Sequence, residues 1–423
     1  MNTSKKMIML ILSLSVVILL VSGLLVQAKT TLNFIGMDQA ALSAEEMDAI
    51  AREYEALNPD VEINTTYVSY DALHDKQATV LAAKSGALDL IIMDCVWVPE
   101  FIEAGWVTDV TDRITADPEL IEDTLEASWN MVKYKGRYWG MPWLIDAKYF
   151  FYNDDILSKA GISAPPRTWQ EFSEQCQIIK DAGLVEYPTI WSWSQNECAI
   201  CDFALILAGF GGKFVDEDMN PVFNDKNGVE ALTWMVDTMK KDLSNPASVV
   251  STEMEVLNTF NQGAAAFAIN WLFMYEGAND PAKSRVAGHA KMALMPAGSG
   301  KGVESTTVDG SMAYAVSAFS ENKDAAWDYL QYFCGKDVQL RYSARQLPTR
   351  KSLLADPALI AAQPVTVPMF KGQYPYVIAR PVVPYYAEFS KILQVALQYA
   401  LTGKESPQKA LDDAAKAIKG IQY

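Results

Sequence analysis

The chain has 423 residues, half of them hydrophobic and 21% charged, a balance that excludes a mostly disordered protein and a single small core, so two domains are expected. Asp and Glu outnumber Lys and Arg by 52 to 35, for a net charge of −17; nucleic acid and anionic lipid are therefore excluded as main partners, because phosphate contacts need clustered cations. With only two histidines, His74 and His289, most imidazole acid–base and zinc chemistry lacks its usual residue, and the composition leans away from an enzyme.

Lys5 and Lys6 precede an uncharged, mostly apolar stretch from Met7 to Val26, and Val26-Gln27-Ala28 suits a signal-peptidase site. Residues 1–28 are thus expected to be removed, leaving Lys29 first and the product exported and soluble. The competing reading is an uncleaved anchor, since the run approaches the roughly 20 residues that span a bilayer. No cysteine lies near the cut, so no lipid anchor is expected.

Thr30–Met37 then reads as a strand. Ser43 with Glu46 three residues on is a capping box, and Met47, Ile50, Ala51, Tyr54 and Leu57 recur at helical spacing until Asn58-Pro59. A strand at Val61–Val68, a helix from about Asp71 to Ser85 and a buried strand at Leu88–Met93 complete a β-α-β-α-β order, the mark of a parallel sheet covered by helices. Ligands meet such sheets at the loops after the strands, here Gly36–Gln39 and Asp94–Trp97. Further helices are expected at about 168–182, 227–242 and 323–334, and strands at 265–270 and 313–317. The last third is helical apart from a Pro-rich break between Pro364 and Pro384. No linker or repeat marks a simple boundary, which agrees with two lobes that the chain crosses several times.

Several motifs fail on inspection. Gly298-Ser299-Gly300-Lys301-Gly302 lacks the Ser or Thr of a phosphate loop, and Asp216, Asp218 and Asn220 begin a calcium loop whose turn glycine is Pro221. Asp154-Asp155 fits a helix N-terminus better than a catalytic pair. Among five cysteines, Cys198 and Cys201 form a C-x-x-C that reads as a structural bridge or two buried thiols, while Cys95, Cys176 and Cys334 read as core. No metal site and no cofactor are expected.

What remains is an aromatic surplus of 11 Trp, 19 Tyr and 16 Phe. Most belong to the core, but Asp94 with Trp97, Trp143 with Asp146, Trp191 with Trp193, Asn270 with Trp271, and Asp309 with Gly310 place aromatic or polar groups near strand ends. An aromatic face covers the C–H side of a sugar, and carboxylate, amide or Arg groups bond its hydroxyl rim.

Several segments together resemble a known family. They are Leu88–Asp94 followed by Phe101–Val107, Tyr134–Pro142, Phe151–Asp155 through Pro165-Pro166-Arg167-Thr168-Trp169, Gln262–Phe267 leading to Trp271, and Leu347-Pro348-Thr349-Arg350. They are similar to motifs of the extracellular solute-binding proteins of ABC importers, of the maltose-binding, carbohydrate type. The resemblance implies an α/β, two-lobed fold, each lobe a mostly parallel sheet flanked by helices. Residues 29–140 with about 270–318 would form one lobe, and about 145–268 with about 322–423 the other. It implies a monomer in a Gram-negative periplasm that carries a sugar or oligosaccharide, without catalysis, to the membrane permease subunits of an ABC importer. By position, Asp94, Trp143, Asp146, Trp271, Asp309, Gly310 and Arg380 resemble ligand contacts, with Gln39, Trp97, Trp191 and Trp193 added from variable loops. The rival readings are a secreted glycoside hydrolase, and the same fold holding a polyamine or a phosphorylated polyol.

Overall fold

The computed structural model describes residues 29–39, 41–298 and 301–421. The expected signal peptide and Ser299-Gly300 of the glycine-rich loop lie outside the described residues. Thirteen strands are present among them: β1 Thr30–Met37, β2 Val61–Val68, β3 Leu90–Asp94, β4 Lys133–Tyr134, β5 Arg137–Tyr138, β6 Met141–Leu144, β7 Tyr149–Asn153, β8 Thr189–Ile190, β9 Phe267–Asn270, β10 Ala290–Ala293, β11 Thr307–Val308, β12 Met312–Val316 and β13 Val377–Ile378.

The first lobe is built on a five-stranded sheet in the order β2-β1-β3-β12-β6. β1 runs parallel to β2 and β3, as the β-α-β-α-β order requires, while β12 enters antiparallel between β3 and β6. β3 is buried throughout, and β2 alternates between partly buried and exposed as an edge strand should. The helix Ala44–Leu57 begins with the expected capping box, Ser43 and Glu46 each satisfying the other's backbone N–H, and buries Met47, Ile50, Ala51 and Tyr54.

The second lobe holds a four-stranded sheet, β10-β7-β9-β8. Here β7 is antiparallel to both β10 and β9, and only β8–β9 is parallel, so both sheets are mixed. The fold is α/β and two-lobed. The crossings differ from the expected boundaries: β10 and the helix Phe273–Asn279 belong to the second lobe, whereas the helix Lys323–Phe333 covers the first. The reason is local. That helix directly follows β12 and turns Trp327, Leu330 and Phe333 onto it, with the Phe333 ring 4.9 Å from that of Tyr314.

Asp154 opens the helix Asp154–Lys159, capped by Asn153, as expected of acids at an N-terminus. Asp216 accepts backbone N–H bonds from Asp218 and Asn220, so the failed calcium pattern encodes a turn. All five cysteines are free thiols. Among the described residues no helix is long and apolar enough to cross a membrane.

Candidate functional site

The C-terminal ends of β1, β2, β3 and β6 all point to one side of the first sheet, where the second lobe faces them across a cleft of about 340 Å³. The first lobe contributes Asp38 and Gln39 after β1, Tyr70 and Asp71 after β2, Asp94 at the end of β3, and Asp146 just beyond β6. The second contributes Trp271 after β9 and the first turns of two helices, Glu197–Gly209 and Glu253–Asn261, with Glu197, Cys198 and Glu253. Gly310 and Arg380 come from the segments that cross between lobes.

Arg380 ties the lobes together. Its guanidinium donates to Asp94 Oδ1 at 3.0 Å on the first lobe and to Glu197 Oε1 at 2.6 Å on the second, and also to the Asp309 carbonyl at 3.1 Å. Tyr70 donates to the other Asp94 oxygen at 2.9 Å, while Tyr386 and Ser390 donate to Glu197. Arg380 is 2% exposed, so these bonds are shielded from water and strong. Burial alone would push its proton off, but Cys201, Asp94 and the other groups around it hold the guanidinium charge even more firmly than usual.

Trp271 forms the aromatic wall. Its indole N–H reaches Glu253 Oε1 at 3.3 Å, and the Lys148 ammonium lies 5.2 Å from its ring. Lys148 is fully buried and bonds Asp202 Oδ1 at 2.6 Å and Ser192 at 2.9 Å. Burial works against the Lys148 charge, and Asp202 and Glu253 outweigh it, so the lysine stays protonated; burial raises Asp202 to about 6 against the pull of Lys148. Gly310 lies against the indole so closely that a Cβ there would stand 2.3 Å from Trp271 Cζ3. Only glycine leaves the ring its place. Asp146 accepts from the Ala147 N–H at 2.8 Å, and burial pushes its carboxyl well above the usual range.

Six of the sequence-derived candidates thus meet in the cleft: Gln39, Asp94, Asp146, Trp271, Gly310 and Arg380. Asp309 sits just behind it, its carboxylate turned to Ser311 and its carbonyl to Arg380. The other four do not reach it. Trp143 is 1% exposed and packs between Tyr314 and Phe333, because side chains alternate along β6 and its neighbour Leu144 takes the cleft side. Trp97 lies beneath Tyr70, ring centroids 5.4 Å apart. Trp191 and Trp193 stack on each other at 4.8 Å in the second core.

Tyr70, Asp71, Glu197 and Glu253 were not among the candidates. Each sits in the first turn of a helix facing the cleft, a position the sequence marks only as a helix start. Lys148 and Asp202 did leave a signal: Asp202 is the lone charge in the apolar run Cys198–Leu207, and Lys148 shares the run Trp143–Phe151 with Asp146 alone.

Comparison with known proteins agrees with this architecture. A family model described as bacterial extracellular solute-binding protein matches residues 40–340. A probable ABC transporter-binding protein of Deinococcus radiodurans is 30% identical over 82% of this chain and 83% of its own length. A mannitol-binding protein of Pseudomonas aeruginosa is 26% identical over 88% of each. The solved structure of maltose-bound MalE3 of T. maritima superposes with a TM-score of 0.85 at 27% identity, covering 92% of this chain and 99% of that one. With two lobes flanking a polar, aromatic-walled cleft, the chain belongs to the bacterial extracellular solute-binding proteins.

Proposed function

We propose that this protein captures a sugar or polyol between its lobes and hands it, unchanged, to the permease subunits of an ABC importer at the outer face of a bacterial membrane, acting as an exported monomer. The observation that carries this reading is the Trp271 ring, presented at the cleft wall among carboxylates and a guanidinium. An aromatic face and hydrogen-bonding acids are the two things a polyhydroxylated ring or chain needs. The mannitol-binding relative and the maltose-bound structure support the same ligand class. The cleft, near the lower end of the roughly 300–1,000 Å³ usual for ligand sites, suits a small member of that class. Closure then follows from the ligand touching both lobes and so binding the closed state better.

Arg380 bonds both Asp94 and Glu197, from opposite walls, and so takes them out of the two-carboxyl chemistry that glycoside cleavage needs; for another pair of lining acids, Asp71 and Glu253, recovery of the intact ligand is the test. A phosphorylated polyol would want spare cations, and Arg380 is the one basic residue among the lining residues. The test is a thermal-melt screen of the processed protein against sugars, polyols and polyamines, followed by recovery of any binder. A ligand at about 1,000 times its Kd adds roughly 4 kcal/mol to folded-state stability. A shift with a sugar or polyol recovered intact supports the proposal; a cleaved sugar, or a shift with polyamines alone, would refute it.

A further inference from the structure

The cleft is lopsided in charge. Asp38, Asp71, Asp94, Asp146, Glu197 and Glu253 line it, against Arg380 as the one basic lining residue. Asp94 and Glu197 are engaged by Arg380, and Asp146 is held by backbone. Asp71 and Glu253 are placed differently. Asp71 opens the helix Tyr70–Ala82 on the first lobe, and Glu253 opens the helix Glu253–Asn261 on the second. Both line the cleft, one from each lobe; burial and, in addition, the charge of Glu253 raise the Asp71 carboxyl, with an Asn196 bond opposing. Glu253 meets Lys148 at 3.5 Å and Trp271 through Oε1 alone, which leaves Oε2 for a ligand. Each acid complements the N-terminus of its own helix. That explains the residue types, but not why two such termini line one cleft from separate lobes.

A second observation is independent of the acids. Arg380, almost wholly buried, has an Nε–H with no hydrogen-bond partner among the described residues, and the buried amide nitrogen of Gln39, which also lines the cleft, has none either. Buried donors of this kind call for oxygen acceptors.

We propose that the ligand is a hydroxylated amine, an amino sugar or amino polyol, whose ammonium sits between Asp71 and Glu253 while its hydroxyl oxygens accept from Arg380 and Gln39. The proposal rests on the sugar-or-polyol reading and narrows it. Like charges on two lobes oppose closure, whereas a cation between them is attracted more strongly as the lobes approach. The closed state is then selected by the amine in particular.

Calorimetric titration of the processed chain with matched pairs tests this: glucose and glucosamine, mannitol and its 1-amino-1-deoxy counterpart, maltose and an aminodeoxy maltose, with spermidine as an amine lacking hydroxyls. The amine of at least one pair should bind about tenfold or more tighter than its parent, the effect of making one neutral hydrogen bond charge-assisted. Asp71→Asn, at an exposed position, should erase that difference. Parents that bind as well as or better than their amines would overturn the inference and leave sugar or polyol capture standing. Binding of spermidine alone would overturn the sugar-or-polyol reading, and silence across the whole panel would overturn both.

Discussion

Gly310→Ala isolates the role of the Trp271 ring. The substitution adds one methyl group, and Gly310 is not in the left-handed region, so its backbone accepts alanine without strain. The new Cβ would stand 2.3, 2.6 and 3.0 Å from Cζ3, Cη2 and Cε3 of the indole. Ordinary carbon contacts begin near 3.4 Å, so the ring must retreat by about 1 Å. Lys148 and Glu253 hold the ring on the protein side, which leaves the cleft as the space open to it. Overpacking of this kind costs about 1–3 kcal/mol, here charged against ligand binding, or about 5- to 150-fold in Kd. The apo Tm should change little, because the ring has room to move. The assay is a double-mutant cycle by calorimetry with the best sugar or polyol from the melt screen. Trp271→Ala alone should lose a similar amount through the missing platform, and in that background Gly310→Ala should have no further effect. Additive losses would refute the reasoning, since the methyl group would then act on something other than the ring.

Two further outcomes concern the framework of the cleft. Lys148→Met strands Asp202, fully buried, without its cation, and should cost about 3–5 kcal/mol of folding stability in chemical denaturation; a loss below 1 kcal/mol would mean that Ser192 alone satisfies the carboxylate. His74 lies 2.8 Å from Glu100 and 3.0 Å from Asp75, and although burial disfavours its charged form, these carboxylates raise its pKa. A raised folded value means that its stabilisation is complete below the unfolded value of about 6.5 and is lost as pH rises through the folded value. The stability gap between wild type and His74→Gln should therefore shrink as pH climbs above about 6.5, and a gap constant from pH 6 to 9 would exclude this role.

Much of the first lobe was legible because its signals are local. The capping box at Ser43, the stop at Asn58-Pro59 and the apolar run ending at Asp94 each depend on residues within a few positions. The same locality placed Asp94, Trp271 and Gly310 at the cleft, since each follows or precedes a strand end. It failed for Trp143, Trp191 and Trp193, because an aromatic beside a polar residue looks the same whether its ring turns to solvent or to core. Side-chain direction was decided by partners far along the chain, Tyr314 and Phe333 for Trp143, and Trp169 and Trp234 for Trp191. Glu197 was invisible for a related reason: its importance lies in Arg380, and that pairing exists only once the last third of the chain is in place. The lobe boundaries were displaced by the same effect, with the helix Lys323–Phe333 following β12 back to the first lobe.

The position of β12 also has a consequence in time. This strand lies in the interior of the first sheet, pairing Met312 with Asp94 on one side and with Leu144 on the other. While the chain emerges from its N-terminus, β3 and β6 therefore lack the strand that joins them, and the non-local pairing that completes the sheet waits for a segment made much later. Completion of the first sheet, which an N-terminal unit usually reaches early in synthesis, therefore waits until some three-quarters of the chain exists. The first lobe thus gains an interior strand only after β7 to β10 of the second lobe's sheet have been made, so the two lobes reach completion close together rather than in turn.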